Sequence, residues 1–214
     1  MSLAMAVLPQ TSPKGAARLG AADLPTLVEV HADFVFRSLR RLGVPEAMAD
    51  DGVQQVFLVV QSKIEDIVVG RERAFLFAVA MNVASHARRT IARRREELGD
   101  DHDHVVDPSP LPDVALDQRR ARALLDEVLE AMPMDLRTAF VMFELEEMTM
   151  LEIAEVLDIP QGTVASRLRR AREEFSKQAQ RVRSRTDRQT AKRSEADSSG
   201  FPSSQSFAAA GSVR

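Results

Sequence analysis

The run IPQGTVASRLRRAR, residues 159–172, sets the hydroxyls of Thr163 and Ser166 beside the guanidinium groups of Arg167, Arg169, Arg170 and Arg172. Short hydroxyl side chains near a helix N-terminus allow close approach to phosphates and base edges. Arginines further along can neutralise phosphates or make paired hydrogen bonds to guanine. The plainer alternative is a solvated basic face, because arginine-rich amphipathic helices are common. Spacing separates the two. At 100° per residue, Val164, Leu168, Ala171 and Phe175 form one apolar stripe, and Gly162, Ser166, Arg169 and Glu173 lie opposite it. Thr163 and Arg170 flank that outer face on one side, with Ala165 and Arg172 on the other.

A second element must hold this helix. In MTMLEIAEVL, Thr149 and Glu152 have capping-box spacing, and Met148 and Ile153 stand at the hydrophobic-staple positions. A short helix is therefore expected to start at Thr149 and to end near Leu157. Asp158 tolerates a left-handed turn there, and Pro160 cannot continue a helix. Two short helices with a tight turn, the second basic outside, describe a DNA-binding helix-turn-helix.

The rest of the chain divides around residues 97–115, ELGDDHDHVVDPSPLPDVA, where prolines and acids replace periodicity. The expected fold class is all-α: two small helical domains, residues 23–96 and 116–180, joined by this flexible acidic linker. In the first domain, Val35, Leu39 and Leu42 share a helix face, as do Val53, Phe57, Val60 and Ile64 on the next. A third helix places Leu76, Val79 or Ala80, Val83 and Ala87 on one face. A loop is expected at 65–74. Residues 1–22 read as a loose arm, and 181–214, basic and then rich in Ser and Ala, as a disordered tail.

The 214 residues carry a formal charge of −3, with basic stretches at 88–95 and 166–193 and an acidic one at 96–107. Local fields therefore outweigh net charge. Without cysteine, thiol catalysis and cysteine-ligated metals are excluded, and a reducing cytoplasm fits. No secretory signal or bilayer-spanning run stands out, so no membrane insertion is expected. His102 and His104 lie in the linker without a rigid scaffold, and His31 and His86 are isolated on helices; no metal, cofactor or catalytic site is expected.

Residues 131–175, AMPMDLRTAFVMFELEEMTMLEIAEVLDIPQGTVASRLRRAREEF, resemble region 4 of the extracytoplasmic-function (ECF) sigma factors of bacterial RNA polymerase. HADFVFRSLRRLGVPEAMADDGVQQVFLVV and AFLFAVAMNVASHARR, earlier in the chain, resemble region 2. The resemblance implies a transcription initiation factor with no enzymatic activity, whose partners are core RNA polymerase, promoter DNA and commonly an anti-sigma factor. It implies base-edge contacts from Ser166, Arg169 and Arg170 to the minus-thirty-five element, and phosphate contacts from Thr163, Arg167 and Arg172. Asp51, Gln54, Gln55 and Phe57 match the segment that docks on the polymerase clamp helices, with Gln55 where glutamate is usual. The 65–74 loop matches the one that captures a base flipped from the melted minus-ten strand, and Asn82, Arg88 and Arg89 match the helix that follows downstream DNA. Glu147 and Asp158 replace usual glycines. By composition alone Phe57, Phe75 and Phe77 are core residues. The competing readings are a helix-turn-helix repressor or activator that does not dock on polymerase, and a helical protein-binding adaptor.

Overall fold

The computed structural model describes residues 16–98 and 113–198, whose regular elements are all helical, with a single isolated antiparallel bridge between Arg18 and Val68. Three helices build the N-terminal half: α1 (Leu24–Arg41), α2 (Glu46–Ser62) and α3 (Glu72–Leu98). Four build the C-terminal half: α4 (Asp113–Glu130), α5 (Met134–Phe140), α6 (Met150–Leu157) and α7 (Gln161–Ser198). A π-helical turn, Val141–Leu145, follows α5 directly.

In α1, Leu27, Phe34, Val35 and Leu39 are buried, the face that the sequence periodicity marks, extended about two turns earlier. Arg40 and Arg41 fall in its last turn, where cations favour the carbonyl end of the helix dipole. Gly43 then reverses the chain at φ +90°, and a Cβ there would lie 2.6 Å from an Arg137 guanidinium nitrogen. The left-handed backbone favours glycine, and a side chain there would also have to displace the Arg137 guanidinium. Gly52 on α2 is buried beneath Leu39, which lets α1 and α2 pack closely.

One buried cluster runs through both halves, from Phe34, Leu39 and Leu76 to Met142, Ile153 and Leu168. It explains a departure from the expected pattern in α3. Ala74 to Ala80 are buried without interruption, rather than along one stripe, because α1 and α2 cover one side of α3 and α6 packs on another.

Three boundaries differ from expectation. The loop expected at 65–74 is shorter: Ile64–Asp66 form a 3-10 turn and α3 already begins at Glu72. The arm expected over 1–22 is tied down at its end. Leu19 donates to the Ile67 carbonyl and Val69 to that of Ala17, and Ala21–Asp23 form a 3-10 turn into α1. The tail expected to be disordered from 181 continues as α7 to Ser198. Val182 is buried and Arg185 pairs with Glu127 of α4, so contact with α4 supplies stabilisation that composition alone does not reveal. Most of the acidic linker, with His102 and His104, lies outside the described residues, as do 1–15 and 199–214.

Candidate nucleic-acid interface

The helix-turn-helix is fixed from its first residue. Thr149 caps α6, its backbone N–H donating to Glu152 Oε2 at 2.8 Å and its Oγ1 accepting from the Glu152 N–H at 3.3 Å. Met148 and Ile153, the staple pair, are both buried. Asp158 adopts the left-handed conformation, φ 52° and ψ 49°, which turns the chain into Pro160 and the start of α7. Glu147 is likewise left-handed, φ 54°.

On α7, Val164, Leu168 and Ala171 are buried, and Phe175 stacks on Phe140 with ring centroids 4.4 Å apart. Thr163, Ser166, Arg169, Arg170 and Arg172 are exposed on the other side. Their side chains are not equally available. The Ser166 hydroxyl donates to the Thr163 carbonyl at 2.9 Å but keeps its acceptor capacity. Arg169 pairs with Glu173 at 2.7 Å. Arg172 donates from Nε to Glu144 at 2.6 Å and lies over the Phe143 ring. Arg170 has no such tether.

Arg167 departs from this group. It is half-buried and, with Leu157 and Thr138, lines one wall of a cleft of about 420 Å³ whose opposite wall carries Asn82, Ser85 and Arg88 of α3. Arg88 Nε is buried there without a hydrogen-bond partner. Burial, and secondarily the neighbouring Arg89 charge, lowers the Arg88 pKa. Arg89 itself is exposed. The residues that the resemblance assigns to DNA in the two halves thus meet across one cleft, except Arg89 and the outer face of α7. Beside the cleft, Arg137 is 4 % exposed, its Nε donating to the Leu129 carbonyl, and burial brings its pKa down to about 10.

Asp51, Gln54 and Gln55 are exposed together on α2. Phe57 is not among them: it is 8 % exposed and packs into the core, because two positions along the helix turn it to the side opposite Gln55. The exposed apolar residue is Leu58, seven positions after Asp51 and three after Gln55, and 60 % exposed. Its spacing was readable as the next member of that stripe. Phe75 and Phe77 are core residues.

Sequence reasoning passed over the charged contacts between the halves. Glu146 is 2 % exposed and accepts from Arg41 and from Arg73, the latter at 3.2 Å. Arg71 pairs with Glu155 of α6, and Arg40 with Asp126 of α4 at 3.1 Å. Nothing in the local sequence announces pairs separated by 73 to 105 positions.

The family described as Sigma-70, region 4 matches residues 122–175. The chain is 30 % identical to the ECF RNA polymerase sigma factor SigE of Mycolicibacterium smegmatis, over 79 % of this chain and 69 % of that protein. It is 33 % identical to the ECF RNA polymerase sigma-E factor of Haemophilus influenzae, over 58 % of this chain and 70 % of that one. Among solved structures, the sigma factor RpoE from Bartonella quintana, seen with the anti-sigma factor NepR, shares the fold. Its TM-score is 0.60 at 18 % identity, covering 74 % of this chain and 97 % of that one. With its helix-turn-helix in the matched segment and its identity to SigE running through both halves, the chain belongs to the ECF RNA polymerase sigma factors.

Proposed function

We propose that this sigma factor directs promoter choice through two separate surfaces, one on each side of a division at residues 97–115. Ser166, Arg169 and Arg170 read base edges of an upstream duplex element, while Thr163, Arg167 and Arg172 contact phosphates. Asn82, Arg88 and Arg89 follow the DNA downstream. Asp51, Gln54 and Gln55, joined by Leu58, dock on core polymerase. The observation that carries this reading is the exposed hydroxyl-and-arginine face of α7, opposite a buried aliphatic spine and set by a capped α6.

Arg167, Asn82 and Arg88 reach DNA only when the cleft they line has opened, so promoter binding and separation of the halves go together. An anti-sigma factor that stabilises the closed form would act as the regulator. The factor supplies recognition and strand capture, with the chemical step left to polymerase. It works in the cytoplasm, where the polymerase is. No helix among the described residues is long and apolar enough to cross a membrane.

Transcription from a random promoter pool by core polymerase, with and without the protein, tests the proposal. Enrichment of a paired upstream and downstream motif is the expected result. DNA binding without any transcription would favour a repressor instead, and neither activity would favour an adaptor.

A further inference from the structure

Three arginines of the N-terminal half converge on two carboxylates of the C-terminal half. Arg73 Nη2 donates to the Glu146 carbonyl at 2.9 Å and to its carboxylate, and it lies 4.7 Å from the Phe34 ring centre. Arg41 reaches the same carboxylate and the Leu145 carbonyl. Arg71 reaches Glu155. Arg71 ends the short loop that joins the 3-10 turn Ile64–Asp66 to α3, and Arg73 lies in the first turn of α3. The Glu146 carboxylate is almost wholly buried, whereas Arg71 and Arg73 keep 41 % and 47 % of their side chains exposed.

This asymmetry is informative. A buried carboxylate needs its cationic partners far more than half-exposed guanidinium groups need a carboxylate. Arginine accepts phosphate in the same forked geometry as carboxylate, so a phosphodiester can replace Glu155 or Glu146 with little loss on the arginine side. On the far side of the same interface, Arg88 Nε has no acceptor at all. The closed form therefore leaves Arg88 Nε without an acceptor and engages Arg41, Arg71 and Arg73 with acids of the other half.

We propose that Arg71 and Arg73 bind phosphates of the melted DNA strand, and that Glu155 and Glu146 occupy them in the closed form as intramolecular substitutes for those phosphates. The contact is thus autoinhibitory: a strand gains its phosphate sites only as the C-terminal half lets go. The strand-binding part rests on the reading of the 67–71 loop as facing melted DNA; the closure does not.

The chain has no cysteine, so Ser62→Cys and Ser176→Cys, one exposed position in each half, would carry a donor and an acceptor dye on the full-length protein. Oligothymidylate serves as the strand probe. In the Glu146→Gln/Glu155→Gln variant, energy transfer should fall and the affinity for oligothymidylate should rise about fivefold or more. Adding Arg71→Ala and Arg73→Ala should abolish that gain. Circular dichroism checks folding, and Glu155→Gln alone, at the more exposed carboxylate, replaces the pair if helicity is lost. The charge swap Arg71→Glu/Glu155→Arg should keep the wild-type energy transfer and yet bind oligothymidylate more weakly. Unchanged transfer and affinity in the glutamine variants would reduce these pairs to packing contacts and overturn the proposal. A fall in transfer without tighter oligothymidylate binding would overturn it too, since closure would then not hide a strand site. Wild-type transcription from the promoter pool reads the sigma assignment separately from either result.

Discussion

The arginines on α7 differ in what they must give up to meet DNA. Arg169 has to leave Glu173, and Arg172 has to leave Glu144 and the Phe143 ring, whereas Arg170 is exposed and untethered. Exposed pairs of this kind are worth at most about 1 kcal/mol, so they tune rather than prevent contact. Arg170→Ala is expected to lose about 1–3 kcal/mol of discrimination at one base pair, while binding to other sequences changes little. Affinity measured over a set of single-base promoter variants checks this; a uniform loss would make Arg170 a phosphate contact. Backbone strain is the other feature that belongs to single residues. Glu147 and Asp158 hold left-handed conformations that cost a side chain about 1–2 kcal/mol, and that cost is absent for glycine. Glu147→Gly should therefore raise stability by about 0.5–1 kcal/mol after the greater entropy of the unfolded glycine chain is subtracted. Denaturant midpoints would register it. The left-handed turn at Asp158 could be foreseen from the residues before Pro160, whereas Glu147 was marked only by the resemblance, as a position where glycine is usual. The identity of the untethered arginine could not, because Glu144 is 28 positions from Arg172.

Among the elements, α6 and the start of α7 were legible because their signals are local: a capping box, a staple, a turn-breaking proline and a four-residue apolar spine. The length of α7 was not legible. Beyond residue 180 its composition is basic and then polar, which argues for disorder in an isolated chain. Burial of Val182 and the pairing of Arg185 with Glu127 give the extension a partner in α4. Likewise, α3 reads as amphipathic, yet Ala74 to Ala80 are buried all round because the C-terminal half lies on the face that periodicity left for solvent. Such facts belong to tertiary contact, and no window of sequence contains them. If the α7 extension helps to brace α4, Val182→Ala should lower stability by about 1–2 kcal/mol without changing promoter sequence preference. Truncation after residue 180 should lower stability as well, and should also reduce the slope of DNA affinity against salt by removing basic charge. An unchanged slope would leave the extension a bracing role only.

On the scale of the whole molecule, the two helical groups share one hydrophobic core and a set of charged contacts, so the arrangement of the halves depends on both. The apolar part of that interface is insensitive to salt, and exposed pairs such as Arg71–Glu155 are weakened by it. Glu146 behaves differently, because its carboxylate is buried between two arginines. With Arg41→Ala, Arg73 still compensates the charge; with Arg73→Ala, Arg41 does. Removing both leaves an uncompensated buried carboxylate, for which the ordinary penalty is about 3–5 kcal/mol. That penalty has an escape, since separation of the halves returns Glu146 to water. The loss of stability in the double variant is therefore capped at the free energy that holds the halves together. A double-mutant cycle should accordingly be non-additive, with the double variant worse than the sum of the singles. Small-angle scattering should at the same point show a larger radius of gyration, while helix content stays constant. Additive losses with an unchanged radius would mean that the core alone holds the halves closed, and that Glu146 and its arginines only trim the fit.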